Sequence, residues 1–109
     1  MLDPVEWLTA GPLAVKRDAS AVVVDGRDVD LTGAQARVLV ALMRRHGRLA
    51  SRDEIYREVF GRDLPRRSRA IDLHVARIRS ALGPHASTVV TVGRVGYRIA
   101  LDVASDTRR

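Results

Sequence analysis

The chain has 109 residues, of which 46% are hydrophobic and 4% aromatic, so it can form one domain with an aliphatic core. The absence of cysteine excludes a disulfide scaffold and thiolate metal sites, and it favours a reducing, cytoplasmic location. The first ten residues lack the basic start and apolar run of a signal peptide. No apolar stretch approaches the roughly 20 residues that cross a bilayer, so we expect no membrane partner.

The net charge of +6 is carried almost entirely by arginine, since Lys16 is the only lysine. Residues 1–43 hold four basic and six acidic side chains, whereas residues 44–109 hold fifteen basic and seven acidic ones. A basic second half indicates a polyanionic partner. An arginine-rich, solvated surface explains the charge equally well, so charge alone leaves both interpretations open.

Short strands are predicted between Leu13 and Leu31, where aliphatic residues cluster between turn signals. Leu13–Lys16 alternates in character, and Ala21–Val24 is a run of small and β-branched residues. Turns are expected near residues 17–20 and 25–27. The segment therefore predicts two or three antiparallel strands.

Two helices follow, each opened by a capping box. In the first box Thr32 is followed three residues later by Gln35, and in the second Ser51 is followed by Glu54. In this motif the hydroxyl accepts from the third backbone N–H, while the longer side chain accepts from the cap's own N–H. We predict the first helix over residues 33–46, and the second from Ser51 to a stop at Gly61.

The third helix, predicted near Ser68–Leu82, is the most informative element. Its apolar positions recur at helical spacing and form a buried stripe: Ile71, Val75, Ile78 and Leu82. Arg69, Leu73 and Arg77 stand four residues apart and project from the other side. An ordinary surface helix usually alternates its charges, and this one does not. A helix that packs its apolar face on the core and exposes a cationic face on the opposite side can lie in the DNA major groove.

A β-hairpin is predicted near Thr88–Ala100, with Gly93 and Arg94 at its turn. An arginine at such a tip suits the electronegative minor groove, although a solvated surface turn is as good an explanation of this residue alone. The hydroxyls of Thr91 and Tyr97 are candidate donors to phosphates.

The predicted fold is α+β: a winged helix-turn-helix with an N-terminal antiparallel β-sheet, three helices and a C-terminal hairpin as the wing. We expect residues 1–10 to be linker or tail, residues 11–101 to form the domain, and residues 102–109 to form a flexible tail.

From Leu31 to Ile99 the sequence resembles the C-terminal effector domain of OmpR/PhoB-type transcriptional regulators. The combined pattern carries the resemblance, rather than any one piece of it. The matching residues are Leu31–Thr32, Gly47–Arg48, Ser51–Arg52, Ile55, Val59–Gly61, Arg69–Val75, Arg77–Arg79, Ala81–Leu82 and Gly96–Arg98.

The resemblance implies roles for individual residues. Arg77 falls where the family reads bases, and Ala70 and Leu73 fall where it makes apolar base contacts. The positions that hold backbone phosphates correspond to Arg69, His74, Arg79 and Tyr97. The positions that touch RNA polymerase correspond to the loop residues Arg62, Asp63, Leu64, Arg66 and Arg67.

Three positions depart from the family pattern. Phe60 stands where tryptophan is usual, and Ala76 stands where a basic residue is frequent. The wing has Gly93–Arg94 where the family usually has Arg-Gly, which displaces the expected minor-groove contact. These departures affect specificity more than fold.

We therefore predict sequence-specific binding of double-stranded DNA by a transcriptional regulator, with no catalysis, cofactor or metal. The three histidines, His46, His74 and His85, lack metal-ligand spacing, and we expect Asp72 to be a structural partner of a nearby arginine. RNA polymerase and a tandem dimer on DNA are further expected partners. The 109 residues leave no room for an acidic receiver domain, so an excised effector domain and the effector half of a different protein both remain open.

Two other binding modes stay as alternatives. A winged helix can act as a protein-interaction module, although such interfaces usually bury aromatics and deplete charge at their centre. An RNA-binding module is disfavoured because Gly93–Gly96 lies between β-rich runs rather than between helices, and stacking aromatics are scarce.

Overall fold

The N-terminal region forms a four-stranded antiparallel sheet. The structure, a computed structural model, describes residues 2–101. Neighbouring strands pair in chain order. The strands are β1 (Trp7–Ala10), β2 (Leu13–Lys16), β3 (Val22–Val24) and β4 (Arg27–Asp28).

The first strand corrects the prediction that residues 1–10 are linker or tail. Trp7–Ala10 pairs with β2, and Leu8 and Ala10 are buried against the core. The signal was present in the sequence, since Leu8 and Ala10 alternate with Trp7 and Thr9 ahead of a Gly-Pro turn. The sheet has four strands rather than two or three, and the domain includes at least residue 7. The predicted tail over 102–109 lies outside the described residues.

Helix α1 (Gly33–Met43) begins at the predicted capping box. Gln35 N donates to Thr32 Oγ1 at 3.2 Å, and Thr32 N donates to Gln35 Oε1 at 3.0 Å. The helix ends three residues before the predicted end at residue 46. Arg45 and His46 donate to carbonyls three residues back, and His46 has a positive φ of 49°, so the α-helical pattern stops there.

Helix α2 (Arg52–Phe60) also begins at its predicted capping box and ends at Gly61. Glu54 N donates to Ser51 Oγ, and the Glu54 carboxylate accepts from Ser51 N at 2.8 Å. The hydrogen bond from the Ser51 backbone lowers the pKa of Glu54. The second helix was therefore predicted correctly at both ends.

Helix α3 (Ala70–Leu82) starts two residues later than the predicted Ser68. Ser68 Oγ accepts from Ala70 N at 3.1 Å, so this serine does satisfy a backbone donor next to the helix start. The predicted apolar stripe is confirmed, because its four members are the buried residues of the helix: Ile71, Val75, Ile78 and Leu82.

A second sheet contains the predicted hairpin and one strand that sequence reasoning missed. Strands β6 (Val89–Val92) and β7 (Gly96–Ile99) form the hairpin, and β5 (Ala50–Ser51) pairs with the other edge of β7. A Cβ at Gly96 would collide with the backbone of Ala50, so glycine permits this close approach. A 3₁₀ segment, Gly83–Thr88, joins α3 to the hairpin.

Helix α1 is the centre of the molecule. It contacts the N-terminal sheet, both other helices and β7, and eight of its eleven residues are buried. The core is aliphatic, as the composition predicted, with Leu13, Leu39, Leu42 and Ile55 among its fully buried side chains. Because α3 packs only its apolar stripe on this core, its opposite face is left at the surface.

Candidate nucleic-acid interface

The outer face of α3 is exposed, as predicted. Arg69 and Arg77 are exposed, and Leu73 between them keeps 56% of its surface accessible. Single exposed leucines are common on protein surfaces, so the informative feature is the position of Leu73 between two arginines on one helix face. A leucine flanked by two arginines is therefore a candidate contact surface, which we call the α3 face (Arg69, Ala70, Leu73, His74 and Arg77).

The two remaining members of the α3 face are half-buried. Ala70 packs against the core and adds little bulk to the surface. The His74 ring stacks on Phe60 with ring centroids 6.1 Å apart. Burial, and then the positive charge of Arg77, lower the pKa of His74, so the imidazole is neutral near neutral pH. It can still donate one N–H to a phosphate.

The wing tip places Arg94 in solvent. Strand β6 pairs Val92 with Gly96, which leaves a three-residue tip, and Gly93 adopts a left-handed φ of 49° that favours glycine. Arg94 is exposed, while its backbone carbonyl accepts from Arg52 Nη1 at 3.0 Å. The Arg94 side chain is thus displayed from a tip whose backbone is held by α2.

Two residues predicted to bind phosphates are engaged inside the protein. Tyr97 is buried, and its hydroxyl donates to Asp72, so its hydrogen is not available for a phosphate. Arg79 donates to Val89 O through Nε at 3.1 Å and Nη2 at 2.7 Å, and to Thr91 Oγ1 at 2.8 Å. Both side chains therefore help to hold the wing, and their predicted contacts with phosphates stay predictions. Thr91 itself is exposed and only accepts in this contact, so its hydroxyl hydrogen can still reach a phosphate.

Sequence reasoning missed Arg52 as a residue of the interface region. Its Nε donates to Asp72 Oδ1 at 2.8 Å, which confirms the prediction that Asp72 pairs with a nearby arginine. That hydrogen bond raises the pKa of Arg52. Burial raises the pKa of Asp72, but hydrogen bonds from Tyr97 and Arg52 outweigh it and hold the value below normal. Asp72 is therefore ionised, and the positive charge of Arg52 compensates its negative charge beside the α3 face.

The loop between α2 and α3 presents its predicted residues unequally. Arg66 and Arg67 are exposed, whereas Leu64 packs against the core. Asp63 accepts from Arg57 at 2.8 Å. Arg62 donates through Nη2 to the Tyr56 hydroxyl at 3.2 Å. Of the predicted loop residues, all but Leu64 are exposed, the acidic Asp63 included.

Over residues 2–101, His, Cys, Asp and Glu side chains nowhere form a group of three that could hold a metal ion. Within the same range, no helix has the length and apolar character needed to cross a membrane.

Three helices with a β-hairpin beside the third, preceded by a four-stranded sheet, define a winged helix-turn-helix domain. The family described as "Transcriptional regulatory protein, C terminal" matches residues 26–99. The chain therefore belongs to this family, which is a family of regulatory domains rather than of enzymes, and the predicted OmpR/PhoB-type resemblance is confirmed.

Two similar curated proteins are a transcriptional regulatory protein and a DNA-binding response regulator. The transcriptional regulatory protein AfsQ1 of Streptomyces coelicolor is 37% identical over 92 residues, which is 82% of this chain and 41% of that protein. The DNA-binding response regulator MtrA of Mycobacterium tuberculosis is 32% identical over 99 residues, 88% of this chain and 43% of that protein. The chain thus spans about two fifths of the length of these relatives.

Solved structures share the fold. The DNA-binding domain of CpxR from E. coli aligns with a TM-score of 0.78 at 26% identity, covering 87% of this chain and 96% of that one. The DNA-binding domain of Klebsiella pneumoniae RstA, solved in complex with the RstA box, aligns with a TM-score of 0.76 at 23% identity. That alignment covers 87% of this chain and 97% of that domain, and at this identity it supports the fold alone.

Proposed function

We propose that the chain binds double-stranded DNA sequence-specifically, as the DNA-binding domain of a transcriptional regulator. The observation that carries the proposal is the α3 face, in which an exposed leucine lies between two exposed arginines on a helix whose other side is packed on the core. Family membership and the DNA-binding relatives support the same conclusion. We further propose that this domain acts in the cytoplasm and has no catalytic activity.

In this proposal α3 lies in the major groove. Arg77 donates to guanine O6 and N7, the commonest specific contact. Leu73 meets a thymine methyl group, and the small Ala70 lets the helix approach the base edges. Arg69 and His74 contact phosphates at the groove edges, which fixes the register of the helix on the duplex.

The wing supplies the second contact of the proposal. Arg94 enters the adjacent minor groove, where narrow A·T-rich segments attract arginine. Thr91, on the exposed side of β6, donates to a phosphate. This arrangement reads bases with a helix and groove shape with a hairpin.

Two finer proposals concern partners. The exposed Arg66 and Arg67 support contact between the α2–α3 loop and RNA polymerase. Replacing both by alanine should then reduce transcription from a regulated promoter without changing DNA affinity. We also propose that two copies bind in tandem, which a footprint covering two half-sites would support and a single half-site footprint would contradict.

The decisive experiment selects binding sites from a random duplex library and measures Kd on the selected site and on a scrambled duplex. Arg77→Ala should weaken binding to the selected site by about 1–3 kcal/mol and relax the preferred base. Its matched control is Arg17→Ala, which removes the same charge from the turn after β2, where Arg17 donates to Pro4 O. If Arg77→Ala leaves the selected site as tightly bound as before, the assignment is wrong.

Salt dependence separates this function from the alternatives. Log Kd should change linearly with log salt, with a slope of about 0.9 per phosphate contact on duplex DNA. Selective binding of RNA of equal length would favour the RNA-binding alternative. Failure of any nucleic acid to bind would favour a protein-interaction module.

A further inference from the structure

A polar cluster joins the start of α2, the first turn of α3 and the wing. Asp72 Oδ1 accepts from Arg52 Nε at 2.8 Å and from the Tyr97 hydroxyl. Arg52 Nη1 also donates to the carbonyl of Arg94 at the wing tip, 3.0 Å away. One arginine thus contacts the α3 acid and the backbone of the wing tip at the same time.

The Tyr97 ring adds a second set of contacts to this cluster. The guanidinium of Arg52 lies 5.0 Å from the ring centroid, and that of Arg79 lies 5.7 Å from it. Arg79, which projects from the last turns of α3, also donates to Val89 O and Thr91 Oγ1 on β6. Both strands of the hairpin are therefore attached to α3 through charged groups.

We propose that Arg52, Asp72 and Tyr97 are positioning residues that fix the wing relative to α3, and so set the contribution of Arg94 to DNA specificity. This inference rests on the proposed DNA-binding function. Tyr97 and Asp72 need not touch DNA themselves, since Tyr97 is buried and Asp72 would be repelled by phosphate. They act through the backbone of the wing.

The physical reason is the exposure of the tip, which packs little against the rest of the domain. Gly93–Val95 is exposed, and Val95 N donates to Val92 O at 3.0 Å to close the turn. An exposed turn of this kind has several accessible orientations, each with a different position for Arg94. The hydrogen bond from Arg52 to the Arg94 carbonyl selects one of them, and Asp72 with Tyr97 holds Arg52 in place. Partly buried ion pairs of this type contribute more to conformational specificity than to net stability in some proteins.

The test is a double-mutant cycle between Asp72→Ala and Arg94→Ala. Kd is measured on a library-selected duplex with A·T-rich flanks and on the same site with G·C-rich flanks. In the parent chain Arg94→Ala should weaken binding to the A·T-flanked duplex more than to the G·C-flanked one. In the Asp72→Ala background the same change should alter Kd by less than about twofold, since residues coupled through a network are not additive.

The direction in which Asp72→Ala changes Kd distinguishes positioning from simple electrostatics. Removing an acid near the DNA should strengthen binding if electrostatics alone matters. Positioning instead predicts weaker binding to the A·T-flanked duplex, with Asp72→Asn restoring part of the loss because it keeps an acceptor oxygen. Tyr97→Phe keeps the buried ring and removes only the hydroxyl, so it provides a second variant if Asp72→Ala does not fold.

The outcomes separate the two proposals. If the parent chain binds no duplex, the DNA-binding function is wrong. If the parent binds and Arg94→Ala costs the same with and without Asp72, or costs nothing in the parent, the positioning role is overturned. A thermal unfolding curve of each variant confirms that only folded chains are compared.

Discussion

The two β-sheets of this domain are held in different ways. The N-terminal sheet is attached to α1 by apolar side chains, with Leu8, Leu13 and Val15 all buried. The C-terminal sheet also buries Val89 and Ile99, but its hairpin is joined to α3 by arginine, aspartate and tyrosine hydrogen bonds. Apolar packing is insensitive to small rotations, whereas hydrogen bonds specify an orientation.

This difference indicates that the two sheets have different roles. The N-terminal sheet supplies buried area, and the C-terminal sheet presents Arg94 at a defined position beside the α3 face. Loss of apolar side chains in the first sheet should therefore lower the free energy of unfolding, while loss of the hydrogen bonds between the hairpin and α3 should mainly alter recognition.

The largest effect is expected from Leu13→Ala in the N-terminal sheet. Leu13 is fully buried, so removing its side chain should lower the free energy of unfolding by about 2–5 kcal/mol. Urea unfolding followed by circular dichroism measures this. Thr9→Ala, at an exposed position of the same sheet, should stay within about 0.5 kcal/mol of the parent. Equal losses for the two variants would show that this sheet is not held by apolar packing.

The next largest effect is expected from Gly96→Ala in the C-terminal sheet. The new methyl group would meet the Ala50 backbone, which cannot move like a flexible side chain, and overpacking of this kind costs about 1–3 kcal/mol. The pairing of β5 with β7 should loosen, and DNA affinity should fall as well. Hydrogen exchange of the β7 amides reports the first effect.

A matched control for that variant is Gly33→Ala at the start of α1, where a Cβ would lie 3.4 Å from Arg37 Nη1. Gly33→Ala should raise the free energy of unfolding by up to about 1 kcal/mol, since glycine is a poor helix former. If Gly96→Ala and Gly33→Ala changed the free energy of unfolding equally, the contact with the Ala50 backbone would not be the cause of the Gly96→Ala effect.

A smaller effect should follow Thr32→Ala at the α1 cap. Loss of the hydroxyl leaves the Gln35 N–H without its acceptor and costs about 1 kcal/mol. Because α1 contacts both sheets, thermal unfolding should shift while the ratio of Kd on selected and scrambled duplexes stays constant. Thr32→Ser should behave like the parent, and a changed ratio would contradict the separation of scaffold from recognition.

The smallest effect concerns pH and the α3 face. The pKa of His74 is lowered in the folded state, so the unfolded state binds more protons around and below pH 6.5, the ordinary pKa of histidine. The free energy of unfolding should therefore decrease as the pH falls from 7 through this range. His74→Gln should flatten this dependence, measured by denaturant titrations at several pH values. An unchanged pH slope in His74→Gln would show that the burial of His74 on Phe60 does not affect its titration.

The elements that the sequence predicted best are those determined by neighbouring residues. The capping boxes at Thr32 and Ser51 and the stripe beginning at Ile71 depend on contacts three or four residues apart, and all three are present. The missed strand β5 has two residues, and its partner β7 lies more than forty residues away. No local pattern marks such a strand.

The difference between local and long-range contacts also explains which features of the α3 face and wing could be predicted. Exposure of Arg69, Leu73 and Arg77 follows from helical periodicity and was predicted. The engagement of Tyr97 with Asp72 and of Arg79 with Val89 depends on which side chains the fold brings together across 25 and 10 residues. Hydroxyl and guanidinium groups suit a phosphate and a protein acceptor equally, so residue type alone could not decide between them.

In the proposed function the α3 face and the wing tip, rather than the N-terminal sheet, meet the duplex. An NMR titration of the 109-residue chain with a library-selected duplex tests this most directly. Amide shifts should concentrate in residues 69–77 and 93–95 and stay small in β1–β4. Shifts concentrated in residues 7–28, with α3 unaffected, would contradict the proposed function.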